Sequence, residues 1–129
     1  MNQFGVVLLI GAAGALGAWT RYGTTLAMNR IFGEGFLLGT LTVNVVGCFC
    51  IGVLVQLGEQ HLSQHWKVVI GAGFLGALTT FSTLGLETVL KFHEGETILA
   101  VANIGLNLLL GISAVILGMY LADTWTATE

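Results

Sequence analysis

The sequence predicts an all-α membrane protein of four transmembrane helices, the third of them broken. Three observations carry this. The chain has 129 residues, 55% hydrophobic and 9% charged, with a mean hydropathy of +0.89; a soluble domain carries about 25% charge. Uncharged runs extend over Met1–Thr20, Gly35–Gly58, Val68–Leu86 and Thr97–Ala122, each reaching the roughly 18–20 residues that cross a hydrocarbon core. The third run holds Thr79, Thr80, Ser82 and Thr83 around Phe81, preceded by Gly73 and Gly76, and Gly and Thr are poor to mediocre helix formers. The expected organisation is a single four-span domain, 1–129, with spans at about 4–28, 36–57, 68–92 and 98–121.

Composition excludes several functions. The formal net charge is −3 with no basic stripe, which argues against nucleic acid as a partner. There is no Ser/His/Asp set, phosphate-binding loop or HExxH helix, so no enzyme is expected. His61, His65 and His93 fall in loops, which does not suit a zinc site. Cys48 and Cys50 are two apart on one helix, about 200° around its axis, and read as small apolar filler. The N-terminus lacks a basic n-region and runs on through Gly11–Ala18, so a cleavable signal is not expected.

Lysine and arginine set orientation in the membrane. Arg30 lies in the first loop with Arg21 near it, Lys67 in the second and Lys91 in the third. Alternate loops face opposite sides, so the bias is three against one, or two against one without Arg21. Such a bias fits one weakly specified orientation or insertion both ways, and the latter permits an antiparallel homodimer.

The first span carries Gly11, Gly14 and Gly17 among alanines, a pattern for close helix packing in lipid. Trp19, Arg21 and Tyr22 form an interfacial cluster, in which Arg21 either snorkels or holds a neighbouring segment. In the second span Thr40, Asn44, Gly47 and Ile51 share a face. A buried amide needs partners, so Asn44 either joins helices or offers its N–H groups to an anion.

In the third span the break is expected between Ala77 and Ser82. The chain has no proline, so the break must come from glycine, from hydroxyls competing for backbone groups, or from a bound ion. Irregular backbone at membrane depth is tolerated only inside protein or beside a water-filled cavity, and broken helices recur at ion sites. This makes the chain a candidate channel or transporter. Glu87 is an acidic residue close to membrane depth, which is usually functional; the alternative is a solvated vestibule, where Lys91, four residues on, can pair with it. In the fourth span Asn103, Asn107 and Gly111 share a face, either a helix interface or a polar track. Tyr120 and Trp125 read as a terminal aromatic belt.

The motifs resemble those of the Fluc (also called CrcB) fluoride channels of bacteria over nearly the whole chain. They are Gly11-Ala12-Ala13-Gly14-Ala15 with Arg21-Tyr22, then Gly39-Thr40-Leu41-Thr42-Val43-Asn44-Val45-Val46-Gly47 continuing to Gly52, and the stretch from Gly73 to Thr83. The resemblance implies a dual-topology antiparallel homodimer in the bacterial inner membrane with two fluoride pores. It implies a structural Na⁺ on the dimer axis, held by the backbone carbonyls of Gly76 and Thr79 from both subunits. It implies a pore lined by Asn44, Phe81, Ser82 and Thr83, with Thr40 and Asn107 as further polar groups, and a vestibule with Glu87 and Arg21. The chain departs from the family at Leu84, where many members carry a second phenylalanine, and at Gly111, where a hydroxyl is expected. A heterodimer with a paralogue is an alternative assembly that could supply the missing groups. The alternative functions are a small multidrug-type exporter, which needs a carboxylate at mid-membrane in the first span, and a non-conducting structural protein of the membrane.

Overall fold

The computed structural model describes residues 2–33 and 37–126, the side chain of Gln60 excepted. Every regular element among them is helical. Four stretches are long and apolar enough to cross a membrane: Gln3–Phe32, Leu38–Glu59, Gln64–His93 and Thr97–Thr126. Helix α1 is Gln3–Phe32. The Asn2 side chain starts it by accepting from the Gly5 N–H at 2.9 Å, and Gly33, with φ 91°, ends it in a conformation that favours glycine. Helix α2 is Leu38–His61; Phe36, where the second span is expected to begin, lies outside the described residues. A 30-residue helix such as α1 is about 45 Å long, against a hydrocarbon core of about 30 Å. The helices therefore run beyond the uncharged windows and carry their charged ends into the headgroup zone.

The third span is four pieces. Helix α3 (Gln64–Val68) leads into a π-helical stretch, Val69–Leu75, then helix α4 (Gly76–Leu78) and, after two extended residues, helix α5 (Phe81–His93). The break is real and shorter than expected: only Thr79 (ψ 155°) and Thr80 (ψ 118°) are extended. The π-helical stretch is not predicted by the sequence reading. Helix α6, Thr97–Thr126, completes the bundle.

The two halves of the third span pack on different partners. The π stretch and α4 lie on α1, α5 lies on α6, and α2 touches both halves while forming its most extensive interface with α6. Lipid provides no hydrophobic drive between helices, so close backbone approach carries the packing. A Cβ on Gly17 would strike the Phe74 carbonyl, one on Gly52 the Val115 carbonyl, and one on Gly118 the Phe49 carbonyl. The buried face of α6 is Ala100, Asn103, Asn107, Gly111, Ala114, Gly118 and Ala122, a stripe of small residues and two amides at helical spacing. Val43, Leu75 and Leu78 form the small apolar cluster at the centre. Large side chains such as Phe4, Trp19, Ile112 and Ile116 point outward, as expected when lipid is the solvent.

Candidate functional site

The break is held from three sides. The Thr79 hydroxyl donates to the Leu75 carbonyl at 3.0 Å. The Thr80 side chain caps α5, accepting from the Thr83 N–H at 3.2 Å. The Thr80 backbone pairs with the Asn44 amide across the gap to α2: Thr80 N–H donates to Asn44 Oδ1 at 2.8 Å, and Asn44 Nδ2 donates to the Thr80 carbonyl at 3.2 Å. An unbroken helix would give the Thr80 N–H to the Gly76 carbonyl and the Thr83 N–H to the Thr79 carbonyl. Both N–H groups are diverted, one to Asn44 and one to the Thr80 hydroxyl. The Gly76 and Thr79 carbonyls thereby lose their helical partners.

Asn44 also belongs to a longer network. Its Nδ2 donates to Asn107 Oδ1 at 2.8 Å. Asn107 Nδ2 donates to Asn103 Oδ1 at 3.1 Å and to the Asn103 carbonyl at 2.9 Å. Asn103 Nδ2 donates to the Thr88 hydroxyl at 3.1 Å, and that hydroxyl donates to the Leu84 carbonyl at 2.8 Å. Thr88, Asn103 and Asn107 are buried, where an unpartnered amide costs about 1–3 kcal/mol. Three membrane helices are thus joined through amides and hydroxyls alone.

A groove of about 410 Å³ runs along the break, lined by Asn44, Gly47, Cys48, Thr80, Leu84 and Asn107 among others. Gly76, Thr79 and Phe81 line it too, so six of the residues singled out from the sequence meet here: Asn44, Gly76, Thr79, Phe81, Leu84 and Asn107. The Phe81 ring is 81% exposed, whereas Leu84 is 6% exposed. Ser82 and Thr83 gather at the Thr80 hydroxyl, at 3.2 and 3.0 Å. Thr83 accepts there, and its own proton has no acceptor among the described groups. Gly111 is buried, and the Cys48 sulfur fills the space beside it: a Cβ added at Gly111 would lie 3.4 Å from that sulfur.

Thr40 and Glu87 form a separate pair. The Thr40 hydroxyl donates to Glu87 Oε1 at 2.6 Å, and Glu87 Oε2 is buried with no partner. Glu87 faces a cavity of about 240 Å³ with Thr25, Asn29, Lys91 and Glu94. Lys91, which could pair with Glu87, does not. Its ammonium lies 2.8 Å from Glu94 and 3.2 Å from Glu96. The tight turn into α6 causes this: Gly95 takes φ 80° and Glu96 N–H returns to the Lys91 carbonyl at 2.9 Å, which folds both carboxylates back over the lysine. Arg21 is half-buried on α1 and lines neither cavity.

Thr88 and Thr80 hold the site although no sequence motif gives either a role. Thr88 was detectable as a hydroxyl on the α5 face toward Asn103. Thr80 was detectable as an N-cap threonine before a helix.

Four apolar spans enclosing a broken helix and a buried amide network define a multi-pass membrane protein whose polar site lies at membrane depth. The chain belongs to the CrcB family: the profile described as CrcB-like protein, Camphor Resistance (CrcB), matches residues 8–119. The chain is 47% identical over 116 residues to a protein of Shewanella amazonensis named fluoride-specific ion channel FluC, covering 89% of this chain and 94% of that one. Proteins of the same name in Vibrio parahaemolyticus and Dehalococcoides mccartyi are each 45% identical, over 123 and 122 residues. These alignments cover 94% and 92% of this chain and 97% and 93% of the respective relatives. The resemblance drawn from the motifs is thereby borne out.

Proposed function

We propose that this chain is a fluoride-selective ion channel of the bacterial inner membrane that works as an antiparallel dual-topology homodimer with two pores. It moves an ion and performs no covalent chemistry. The observation that carries the reading is the break at Thr79–Thr80, pinned by Asn44 beside a mainly apolar groove that Asn44, Thr79, Thr80 and Asn107 line with polar groups. Fluoride is small and strongly hydrated, so a pore must replace its water shell with fixed donors. The Thr83 hydroxyl proton is suited to that task, and the exposed Phe81 ring offers a positive edge; Ser82, whose one proton goes to the Thr80 hydroxyl, must release Thr80 to donate. Asn44 commits Nδ2 to two protein acceptors. Direct donation from Asn44 to an anion therefore requires it to release Thr80 or Asn107. Thr40 and Glu87 stand at the vestibule, whereas Arg21 lies close to the middle of Gln3–Phe32.

The Gly76 and Thr79 carbonyls, stripped of their helical N–H partners, fit a hard monovalent cation, which takes oxygen ligands. Four such oxygens, two from each subunit, are the set that would hold Na⁺ on the dimer axis. Bound there, Na⁺ supplies fixed positive charge near the pores. The test is fluoride efflux from liposomes holding the protein alone, with chloride as control and Na⁺ varied. Rapid fluoride loss that excludes chloride supports the reading. A folded protein that passes no fluoride unless a paralogous chain is added makes the heterodimer the functional form, and one that passes none under either condition overturns the reading.

A further inference from the structure

We propose that Thr88 and Asn103, which do not line the groove, are positioning residues that hold the break of the third span in register through an oriented chain of hydrogen bonds. The inference rests on the proposed channel reading for its functional consequence but not for its structural content.

Each link allows one direction. At one end the Thr80 N–H can only donate, so Asn44 turns Oδ1 toward it and Nδ2 toward Asn107. Asn107 must then present Oδ1 to Asn44 and Nδ2 to Asn103. Asn103 is left with Nδ2 for Thr88. The Thr88 hydroxyl has one proton and must give it away, and it gives it to the Leu84 carbonyl, which can only accept. The chain therefore begins at one backbone group of the third span and ends at another, having crossed α6 and α2 in between. Donor and acceptor at the two ends demand the same polarity. Reversing Asn44 or Asn107 would set N–H against N–H and oxygen against oxygen; reversing Asn103 would set N–H against the Asn107 N–H and draw the Thr88 proton away from the Leu84 carbonyl.

Burial makes the orientation consequential. Thr88 is 5% exposed and Asn103 4%, and neither lines the groove, so water is not at hand to replace their link; Asn107, 7% exposed, borders the groove. The two ends of the chain also bracket the working residues: Thr80 and Leu84 flank Phe81, Ser82 and Thr83. Removing the Thr88 hydroxyl frees Asn103 to turn and takes one of the two acceptors from Asn107 Nδ2, which keeps the Asn103 carbonyl; the weakened hold on Asn107 loosens the clasp of Asn44 on Thr80. Interactions of this kind are cooperative, and substitutions at linked members are expected to be non-additive.

The test compares wild type, Thr88→Val and Thr88→Ser by two readouts. One is hydrogen exchange at the Thr80 amide, with the Val53 amide in α2 as the fold control. The other is fluoride efflux from liposomes. Thr88→Val should speed Thr80 exchange about tenfold, the loss of one buried hydrogen bond, while Val53 stays unchanged and fluoride efflux falls. Thr88→Ser keeps the hydroxyl and should match wild type in both. Asn103→Ala breaks the same link from the other side and serves if Thr88→Val does not fold. Thr80 exchange that is unchanged in whichever of these two variants folds would overturn the proposal. If wild type carries no fluoride, the channel reading fails, and the exchange at Thr80 still decides the positioning claim.

Discussion

Asn44 and Thr80 close a ring across two helices: the amide of one accepts the N–H and donates to the carbonyl of the other, at 2.8 and 3.2 Å. A side-chain amide has the same donor and acceptor as a peptide group. Asn44 therefore stands in for the missing turn of backbone at the break.

Asn44→Asp keeps the acceptor for the Thr80 N–H but strands the Thr80 carbonyl and Asn107 Oδ1. Each stranded group costs about 1–3 kcal/mol, and the new charge repels an anion. Fluoride efflux from liposomes should fall to the protein-free background, with a lower melting temperature. Wild-type flux would remove Asn44 from the pathway.

Leu84→Phe restores an aromatic ring at a groove-lining position. Leu84 is buried at 6% exposure, and overpacking typically costs about 1–3 kcal/mol. The expected outcome is a modest loss of thermal stability with fluoride flux equal to or above wild type. Loss of flux from a folded protein would mean that the site is built around leucine.

Gly47→Ala adds a methyl group that would strike the Thr79 methyl carbon. Thr79 is β-branched and stiff, so the break must shift, at about 1–3 kcal/mol. Both melting temperature and flux should fall. Thr79→Ser removes the struck methyl and keeps the hydroxyl, so the double variant should recover most of both losses.

Removing Na⁺ should matter if the Gly76 and Thr79 carbonyls hold it. Exchange into a large organic monovalent cation is expected to lower the melting temperature and the fluoride flux together. Restoring Na⁺ should reverse both, with a saturating dependence on its concentration. Identical behaviour in the two cations would leave the carbonyls without a metal role.

The sequence by itself determined the four spans, because charge is excluded from the hydrocarbon core and the uncharged runs could only be helices. It determined that the third span breaks, since Thr79, Thr80, Ser82 and Thr83 crowd a stretch with little helix propensity. It placed Asn103, Asn107 and Gly111 on one face of the fourth span but left open whether that face was a helix interface or a polar track. The tertiary structure decided what those groups bond to. That Asn44 meets Thr80, that Thr88 orders the amides of α6, and that Lys91 turns to Glu94 and Glu96 rather than Glu87 are choices among polar partners set by distance and direction across helices. The π-helical stretch Val69–Leu75 likewise has no signature in its local residues. It exists where that stretch packs on α1 while α5 packs on α6, and only the assembled bundle imposes both demands on one span.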